Sequence, residues 1–360
     1  MLSLEKFLVT AINPFILYGN FVPLPGGLVM RRRMLAMVIA LCFSLGTVAQ
    51  ACAAEKLILY TSMKESLIGA IADAFTKKYP DVAIDYQSAG AGKLMAKIAA
   101  ERQSGQVLAD VLWTSEVPDF YNLKEEGMLE PYTPSNFNEL VNPFKNDYDG
   151  SFTAARLGTL GIVYNTQQVK NKPEQWSDIF KPEFKGAFGV ADPALSGTSY
   201  MSISLLVNQF GWEFAEKMAA NDSKIGKGSG QVVDDTASGE LAGCIAVDYI
   251  TLDKIKKGAK LAYVFPQEIL VVPSPVAIIK GTPNLSAAKK FVDFLLSKEA
   301  QIIVSEGGTL PVRTDVALNP GIPVSSLDEA VQRSIPIDYV SILAEKENTI
   351  DKFKKIIQKK

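Results

Sequence analysis

Short apolar segments alternate with amphipathic segments in the part of the chain that follows residue 55. The apolar segments Lys56–Tyr60, Val82–Tyr86 and Ala109–Trp113 have the length and composition of buried strands. Between them lie two segments with the apolar period of about 3.6 residues that helices show, one around Leu67–Phe75 and one at about Lys93–Gln103. This order predicts an α/β fold with a parallel sheet and right-handed crossovers.

The alternation continues through the rest of the chain. The further predicted strands are two short ones around Gly158 and Gly161 within Ala154–Tyr164, then Gly186–Val190, Leu241–Val247 and Val271–Ile279, the last broken by Pro273 and Pro275. The further predicted helices are Thr198–Phe210, Glu213–Ala220, Ser286–Ser297 and Lys298–Ser305. A pattern of this length exceeds what one hydrophobic core normally supports, so we expect two α/β lobes.

The N-terminal region has the layout of an export signal. The basic residues Arg31–Arg33 precede the apolar run Met34–Val48, and small residues follow at the cleavage positions. We therefore predict a signal peptide at residues 30–53, cut after Ala51 or Ala53. The apolar run is shorter than the ~20 residues of a membrane span, which makes a retained anchor the weaker alternative.

The residues before the predicted signal peptide and two of the cysteines can also be interpreted. Residues 1–29 fit no targeting layout, and we interpret them as an extension ahead of a true start at Met30 or Met34. Cys52 stands where a lipoprotein would accept its lipid, but the preceding residues match a lipoprotein signal poorly, so we favour a soluble exported protein. Cys244 lies in an apolar run and is predicted to pack as a small hydrophobic residue.

The chain contains no histidine among its 360 residues. This absence excludes Ser-His-Asp and Cys-His nucleophile systems, histidine-bound zinc and a histidine general base. The formal net charge of −2 gives no reason to expect nucleic acid as a partner. The adjacent acidic pairs Glu125–Glu126 and Asp234–Asp235 leave an exported carboxylate-based hydrolase as an alternative, although such pairs are more typical of solvated faces.

Candidate ligand-binding residues lie in the loops after the predicted strands, because ligands of open α/β sheets bind beyond the carboxyl ends of the strands. The most informative loop is Asp192–Tyr200, where a proline turn and hydroxyl side chains around Gly197 open a helix. Backbone N–H groups at a helix N-terminus favour an anion. The candidates are Tyr60, Thr61, Ser62, Ser88, Gly90, Thr114, Ser115, Ser196, Gly197, Thr198, Ser199, Tyr200, Asp248 and Tyr249.

A ferric-iron site is an alternative interpretation of the same loops. Fe(III) accepts phenolate and carboxylate oxygens, so such a site needs no histidine. Tyr60, Tyr200 and Tyr249 are the candidate ligands, because each lies at a predicted strand end or helix start. The small-residue segment Ser88–Lys93 lacks the spacing of a nucleotide P-loop, which leaves a loop that contacts a ligand or a plain turn.

Six segments resemble, in order, the periplasmic solute-binding proteins of ABC importers, in the branch of ferric-iron-, phosphonate- and hexose-phosphate-binding receptors. The segments are Leu57–Pro80, Ala109–Tyr132, Asp192–Tyr200, Ser238–Tyr249, Ser274–Gly281 and Ala287–Gln301. The resemblance implies a type II periplasmic-binding-protein-like fold, in which two crossover strands join two α/β lobes around a ligand cleft. It places the first lobe at residues 54–153 and 276–360, the second at 154–275, and the crossover strands near 154–163 and 271–279.

The resemblance also implies a function. It implies a receptor with no catalytic activity and no cofactor, which captures a small solute in the periplasm and, as a monomer, delivers it to an inner-membrane ABC permease. Iron-binding members carry a Tyr-Tyr pair where this chain has Tyr249 and Ile250, and many use a histidine in the loop that here spans Tyr60–Lys64. Both departures favour a small anion with a phosphate or phosphonate head over Fe3+. A ligand sensor is a third hypothesis.

Overall fold

The computed structural model describes residues 54–141 and 148–358. The predicted N-terminal extension, the signal peptide and Cys52 lie outside these residues. The strands are β1 (Glu55–Thr61), β2 (Val82–Ser88), β3 (Val111–Trp113), β4 (Leu129–Glu130), β5 (Thr153–Asn165), β6 (Phe188–Ala191), β7 (Lys224–Gly226), β8 (Gly243–Val247), β9 (Leu261–Val264) and β10 (Leu270–Ile279). The helices are α1 (Glu65–Lys78), α2 (Ala91–Gln103), α3 (Val117–Glu125), α4 (Gly197–Phe210), α5 (Trp212–Ala220), α6 (Ser229–Ser238), α7 (Asp248–Lys256), α8 (Leu285–Leu295), α9 (Lys298–Glu306), α10 (Leu327–Gln332), α11 (Tyr339–Ala344) and α12 (Lys346–Gln358).

Helix α1 shows how the apolar period becomes a packed element. Leu67, Ile71 and Phe75 recur at helical spacing and form its buried face. The helix ends just before Pro80, since a proline disfavours helical backbone at the residue before it. The Phe75 ring meets the ring of Phe291 on α8 edge-on, with centroids 5.3 Å apart, so the C-terminal part of the chain packs back onto the first helix.

The described strands form a single sheet. Its order is β2-β1-β3-β10-β5-β8-β6-β7, with β4 beside β10 and β9 beside β5. Strand β1 pairs in parallel with β2 and β3, and β6 pairs in parallel with β7 and β8. Strands β5 and β10 run antiparallel to their neighbours. The predicted α/β class, with parallel strands in each half of the sheet, is confirmed.

Strand β5 joins the two halves of the sheet. Its residues Thr153–Leu160 pair with β10, and Leu160–Tyr164 pair with β8. The prediction of two short strands around Gly158 and Gly161 was wrong, because β5 is one continuous strand of 13 residues. A Cβ atom at Gly161 would lie 2.3 Å from the carbonyl oxygen of Val264, so this glycine permits a close approach of β9 and does not end the strand.

Strand β10 is the second connection between the halves. It pairs with β5 over its first part and with β3 and β4 from Val276 onward. The prediction of a strand broken at its prolines was also wrong, because the pairing continues through Pro273 and Pro275 with a register shift at Ser274/Pro275. A β-bulge absorbs this shift without ending the strand, and the Thr114 N–H donates to the Pro275 carbonyl at 3.2 Å.

The two halves carry different helices. We call β1–β4 with α1–α3, α8 and α9 the first lobe, and β6–β9 with α4–α7 the second lobe; β5 and β10 belong to both. Near the C-terminus, α11 packs against α3, whereas α12 packs against α4 and α5. The end of the chain therefore contacts elements of both lobes. The residue boundaries of the lobes stay predictions.

Cys244 on β8 is a free and fully buried thiol, as its apolar surroundings predict. Burial raises the pKa of this thiol to about 12. Within residues 54–141 and 148–358, no helix combines the length and the apolar character that a membrane span needs.

Candidate functional site

Five of the described helices begin beside one cavity between the two lobes. The cavity has a volume of about 130 Å³ and is lined by residues at the starts of α1, α2, α4, α6 and α7. These starts follow β1, β2, β6, β7 and β8, so the parallel strands of both lobes direct their carboxyl ends to this place. The partial positive charge at a helix N-terminus is therefore concentrated around the cavity.

A glycine is the N-cap residue of two of these helices. Gly90 precedes α2 and Gly228 precedes α6, and neither helix has a side-chain cap. Without a capping side chain, the first backbone N–H groups of a helix are open to a ligand. Helix α4 differs, because the Ser196 hydroxyl caps it by accepting a hydrogen bond from the Ser199 N–H at 3.4 Å.

Two groups of hydroxyl side chains face the cavity from opposite lobes. In the second lobe, the Ser196 hydroxyl lies 3.1 Å from that of Thr198 and 2.8 Å from that of Ser229, and the last two lie 3.0 Å apart. In the first lobe, the hydroxyls of Ser62 and Ser115 lie 3.1 Å apart, and the Ser115 N–H donates to Ser62 Oγ at 3.0 Å. Hydroxyls held this closely can donate together to one multi-oxygen acceptor.

Arg156 lies on the connecting strand β5 and contributes a buried guanidinium to the lining. The residue is 1% exposed. Its Nη1 donates to Thr309 Oγ1 at 2.7 Å and lies 3.5 Å from Asp248 Oδ1, and its Nε contacts Met63 Sδ at 3.1 Å. Its hydrogen bonds to described residues come from Nε and Nη1, so Nη2 is left for a ligand.

Asp248 holds Arg156 in place. Its Oδ2 accepts hydrogen bonds from the Thr159 N–H at 2.8 Å, the Thr159 hydroxyl at 2.9 Å and the Thr309 hydroxyl at 2.8 Å. Its Oδ1 accepts from the Tyr249 N–H at 2.7 Å. Burial raises the pKa of Asp248, while Arg156 and these donors oppose the rise. The carboxylate is thus fully committed to neighbours and does not line the cavity.

Three lysines complete the charge of the lining. Lys64, Lys93 and Lys227 all contribute to it, and no aspartate or glutamate of the described residues does. Within residues 54–141 and 148–358, none of the three forms an ion pair. Tyr249 forms part of the wall, with its hydroxyl accepting the Lys64 N–H at 3.0 Å and its ring 5.0 Å from the Arg156 guanidinium carbon. The cavity therefore carries an excess of positive charge.

The structure places half of the candidate residues in the lining. These are Ser62, Gly90, Ser115, Ser196, Gly197, Thr198 and Tyr249. The hydroxyls of Thr61, Ser88 and Ser199 instead bond to backbone groups of Met63 and Ala191. Thr114 is fully buried beside β10 and Asp248 lies behind Arg156.

The structure does not bring the three candidate iron ligands together. The Tyr60 hydroxyl donates to Glu101 Oε1 at 2.6 Å, and the Tyr200 hydroxyl donates to the carbonyl of Ile342 near the C-terminus. Tyr249 is the member of this set that lines the cavity. In the described part of the chain, no cluster of three or more cysteine, aspartate or glutamate side chains is suited to a metal ion.

Sequence reasoning missed the cationic part of the lining. Arg156 had a detectable signal, because it is the lone charged residue within an apolar strand. Ser229 also had one, since it follows a short strand and opens a helix just as Ser196 does. Lys64, Lys93 and Lys227 gave no comparable signal, because lysines at helix starts are common on protein surfaces.

The chain matches the family of bacterial extracellular solute-binding proteins over residues 107–340. It is 27% identical over 256 residues to a putative 2-aminoethylphosphonate-binding periplasmic protein of Salmonella typhimurium, which is 68% of this chain and 73% of that protein. The periplasmic binding protein AfuA of Actinobacillus pleuropneumoniae, solved with exogenous fructose-6-phosphate bound, is similar in structure. Its TM-score is 0.75 at 27% identity, with 85% of this chain and 99% of AfuA covered.

Iron-bound HitA of Pseudomonas aeruginosa shares the fold. Its TM-score is 0.69 at 22% identity, and the match covers 84% of this chain and 99% of HitA. These neighbours confirm the predicted type II periplasmic-binding-protein fold, with two lobes joined by crossover strands around a cleft.

Proposed function

Because the chain belongs to the bacterial extracellular solute-binding proteins, we propose that it captures a small anionic solute and delivers it to an ABC importer. Members of this family are binding proteins of transporters, not enzymes. The location is the periplasm, after signal cleavage at Ala51 or Ala53, without a lipid on Cys52. The partner is the inner-membrane permease, and the receptor acts as a monomer.

One observation carries the choice of an anion. The lining combines Arg156 with three lysines, includes no carboxylate among the described residues, and receives the N-termini of five helices. Each of these features lowers the energy of a negative group in the cavity. A tetrahedral phosphate or phosphonate head offers three acceptor oxygens, which suits the hydroxyl groups on both sides of the cleft.

We assign the contacts residue by residue. The seven candidate residues in the lining, together with Lys64, Lys93, Arg156, Lys227 and Ser229, contact the solute. Asp248, Thr61, Ser88, Thr114 and Ser199 support the loops and strands that present those groups. Tyr60 and Tyr200 belong to the packing of the first lobe and of the C-terminal segment, respectively.

The two other functions have less support. A ferric site would need phenolates that converge, and the hydroxyls of Tyr60 and Tyr200 bond to partners outside the cavity. A carboxylate-based hydrolase would need its acids in the cleft. Asp234 instead pairs with Lys254 and Glu126 with Arg102, and all four side chains are at least one third exposed.

Binding involves movement of the two lobes about β5 and β10. We propose that residues 54–153 and 276–360 move largely as one body and 154–275 as the other, with the hinge near 154–163 and 271–279. Helix α12 is the exception within 276–360, because it packs on α4 and α5 and stays with the second lobe. Hinge closure of this kind is a common way to trap a ligand between two domains.

A double variant tests the proposed function. Thr198→Val with Ser229→Ala removes two hydroxyls from the second lobe, and we expect the affinity for a simple alkylphosphonate, measured by calorimetry, to fall at least about tenfold. The control is Ser202→Ala, on the same helix, where the hydroxyl bonds to the Ser199 carbonyl away from the cavity. If neither phosphonates nor phosphate esters bind the wild-type protein, the proposed solute class is wrong.

A further inference from the structure

An ammonium group on the solute would have no counter-charge in the cavity. A bound primary amine normally requires a carboxylate or several oriented acceptors. The charged residues in the lining are Lys64, Lys93, Arg156 and Lys227, all of them cationic. One face of the Tyr249 ring, which could attract a cation, is already occupied by the Arg156 guanidinium.

The carboxylates closest to the lining are engaged elsewhere. Asp248 accepts five hydrogen bonds, one of them from Arg156, and does not line the cavity. Glu116 approaches Gly197, since a Cβ atom there would lie 2.6 Å from Glu116 Oε2. Its other oxygen contacts Lys346 Nζ, and Asp119 Oδ1 accepts from the same nitrogen at 2.7 Å. None of these groups can turn to an ammonium without losing its own cation or its donors.

Two more carboxylates flank the lining, and both have partners. Glu65 follows Lys64 in the chain, and its Oε1 accepts a hydrogen bond from the Tyr86 hydroxyl. Asp192 precedes the loop before α4; its Oδ2 pairs with Lys354 Nζ at 3.0 Å, and its Oδ1 accepts the Ala194 N–H at 2.9 Å. Glu65 and Asp192 are therefore no more available to an ammonium group than the carboxylates closer to the lining.

The positive charge of the lining also exceeds the negative charge of one phosphate or phosphonate head group. Arg156 has Asp248 as counter-ion, but Lys64, Lys93 and Lys227 form no ion pair with a described residue. A phosphate monoester carries about 1.5 to 2 negative charges near neutral pH, and a phosphonate carries no more than that. A second anionic group on the solute would face the lysines that the head leaves unmatched.

We propose that the solute is a polyanion without an ammonium group: a small phosphonate or phosphate ester that bears a carboxylate or a second phosphate. This inference rests on the proposed function and narrows its solute class. The receptor thus selects by charge against zwitterionic aminophosphonates, because an ammonium would be desolvated among cations.

Three matched probes test this selection with the full protein. They are 3-phosphonopropionate, propylphosphonate and 2-aminoethylphosphonate, which share a phosphonate head on a two-carbon spacer and end in a carboxylate, a methyl and an ammonium. We expect calorimetry to rank them in that order, with about fivefold or more between neighbours at moderate salt. An ammonium probe that binds as tightly as the carboxylate probe overturns the inference and leaves the proposed function intact. Failure of all three to bind overturns the inference, and failure of phosphate esters to bind as well overturns the proposed solute class.

A double lysine variant tests which residues contact the second anionic group of the solute. Lys93→Gln with Lys227→Gln should reduce the preference for the carboxylate probe over the methyl probe by at least about threefold, although both probes should bind more weakly than to the wild type because both lysines line the cavity. The matched control is Lys224→Gln, an exposed lysine on β7 outside the lining. If the double variant retains the full preference, these lysines do not face the second anionic group, and the charge argument is wrong.

Discussion

Arg156 and Asp248 form a buried ion pair whose members have different tasks. The guanidinium contributes to the cavity, while the carboxylate is enclosed by Thr159, Thr309 and the backbone of Tyr249. A buried pair of this kind adds little net stability over an apolar pair, but removal of one partner leaves an uncompensated charge. Asp248 is therefore a positioning residue for Arg156.

This assignment predicts opposite effects on stability and binding for Asp248→Asn. The free energy of unfolding should fall by about 3 kcal/mol, because Arg156 loses its counter-ion inside the protein. The affinity for an alkylphosphonate should be kept or increased, since the anion then becomes that counter-ion. Urea unfolding and calorimetry measure the two quantities. Asp253→Asn, on the same helix and paired with Lys257, is the control, and there we expect a change of at most about 0.5 kcal/mol.

A different outcome for Asp248→Asn would contradict this assignment. A variant that keeps its stability but loses phosphonate binding would contradict the role of Asp248 as the buried counter-ion of Arg156. Asp248 is among the predicted contact residues because it follows a buried strand. Its burial is not visible in the local sequence, since it depends on Arg156 and Thr159 of β5, which are about 90 residues away along the chain.

The hydroxyl and tyrosine candidates also show that the direction of a side chain depends on contacts that are distant in sequence. Ser196, Thr198 and Ser62 were predictable, because residues that follow parallel strands of α/β sheets meet at one edge. Whether a neighbouring side chain points into the cavity depends on the local backbone, and alternate residues of a strand point to opposite faces. Tyr60 on β1 and Tyr200 on α4 bond outside the cavity, and their partners Glu101 and Ile342 are distant from them in sequence.

At the scale of elements, the starts of α2 and α4 touch across the cleft. A Cβ atom at Gly90 would lie 2.3 Å from the Leu195 carbonyl oxygen, and one at Gly92 would lie 2.4 Å from that of Ala194. The neighbours are backbone atoms, which cannot rotate away as a side chain can. Gly90 itself has φ −61°, so an alanine would fit the local backbone. The absence of side chains at Gly90 and Gly92 therefore allows the two lobes to come close together, and a turn is not the reason for these glycines.

Gly92→Ala should therefore separate stability from binding. Alanine in the first turn of α2 should raise the free energy of unfolding by about 0.5 kcal/mol only when the lobes move apart, because in this structure its Cβ atom would lie 2.4 Å from the Ala194 carbonyl oxygen. The same methyl group holds the lobes apart, and we expect the solute affinity to fall about tenfold. Thermal unfolding without solute and calorimetry with an alkylphosphonate provide the two measurements.

The control for this prediction is another glycine of the lining. Gly228 precedes α6, and a Cβ atom there would meet open space. Gly228→Ala should thus leave the solute affinity within about threefold of the wild type. Equal losses at Gly92 and Gly228 would indicate that the cavity itself, rather than the contact between the lobes, is sensitive to added volume.

The elements also show where sequence patterns succeed and fail. Strands and helices with a strong apolar period, such as β1, α1 and α4, agree closely with prediction. The errors at β5 and β10 came from treating glycine and proline as breaks, whereas Gly161 admits β9 and Pro275 lies at a bulge. Short elements such as β4 and β7 have too few residues for any period to appear.

At the scale of the molecule, the C-terminal segment connects the lobes a further time. Helix α11 packs against α3, and α12 packs against α4 and α5. Lys346, the first residue of α12, meets Glu116 and Asp119 at the start of α3, and all three groups are largely removed from water. One lysine thus faces two buried carboxylates, and this imbalance should make the stability of the whole molecule depend on pH.

Burial and the nearby Asp119 raise the pKa of Glu116 to about 7, in spite of the attraction of Lys346. An unfolded glutamate titrates near 4.3, so the folded protein binds this proton more tightly than the unfolded chain. The stabilising effect is complete below the unfolded pKa and is lost as the pH rises through the folded one. We therefore expect the free energy of unfolding to fall by about 1–3 kcal/mol between about pH 5 and about pH 8.

Glu116→Gln, which cannot ionise, should remove most of this fall in urea titrations, whereas the exposed Glu126→Gln should retain it. If the wild type and Glu116→Gln show the same pH profile, another group governs the dependence, and the cluster that joins α3 to α12 keeps its charge state throughout this range.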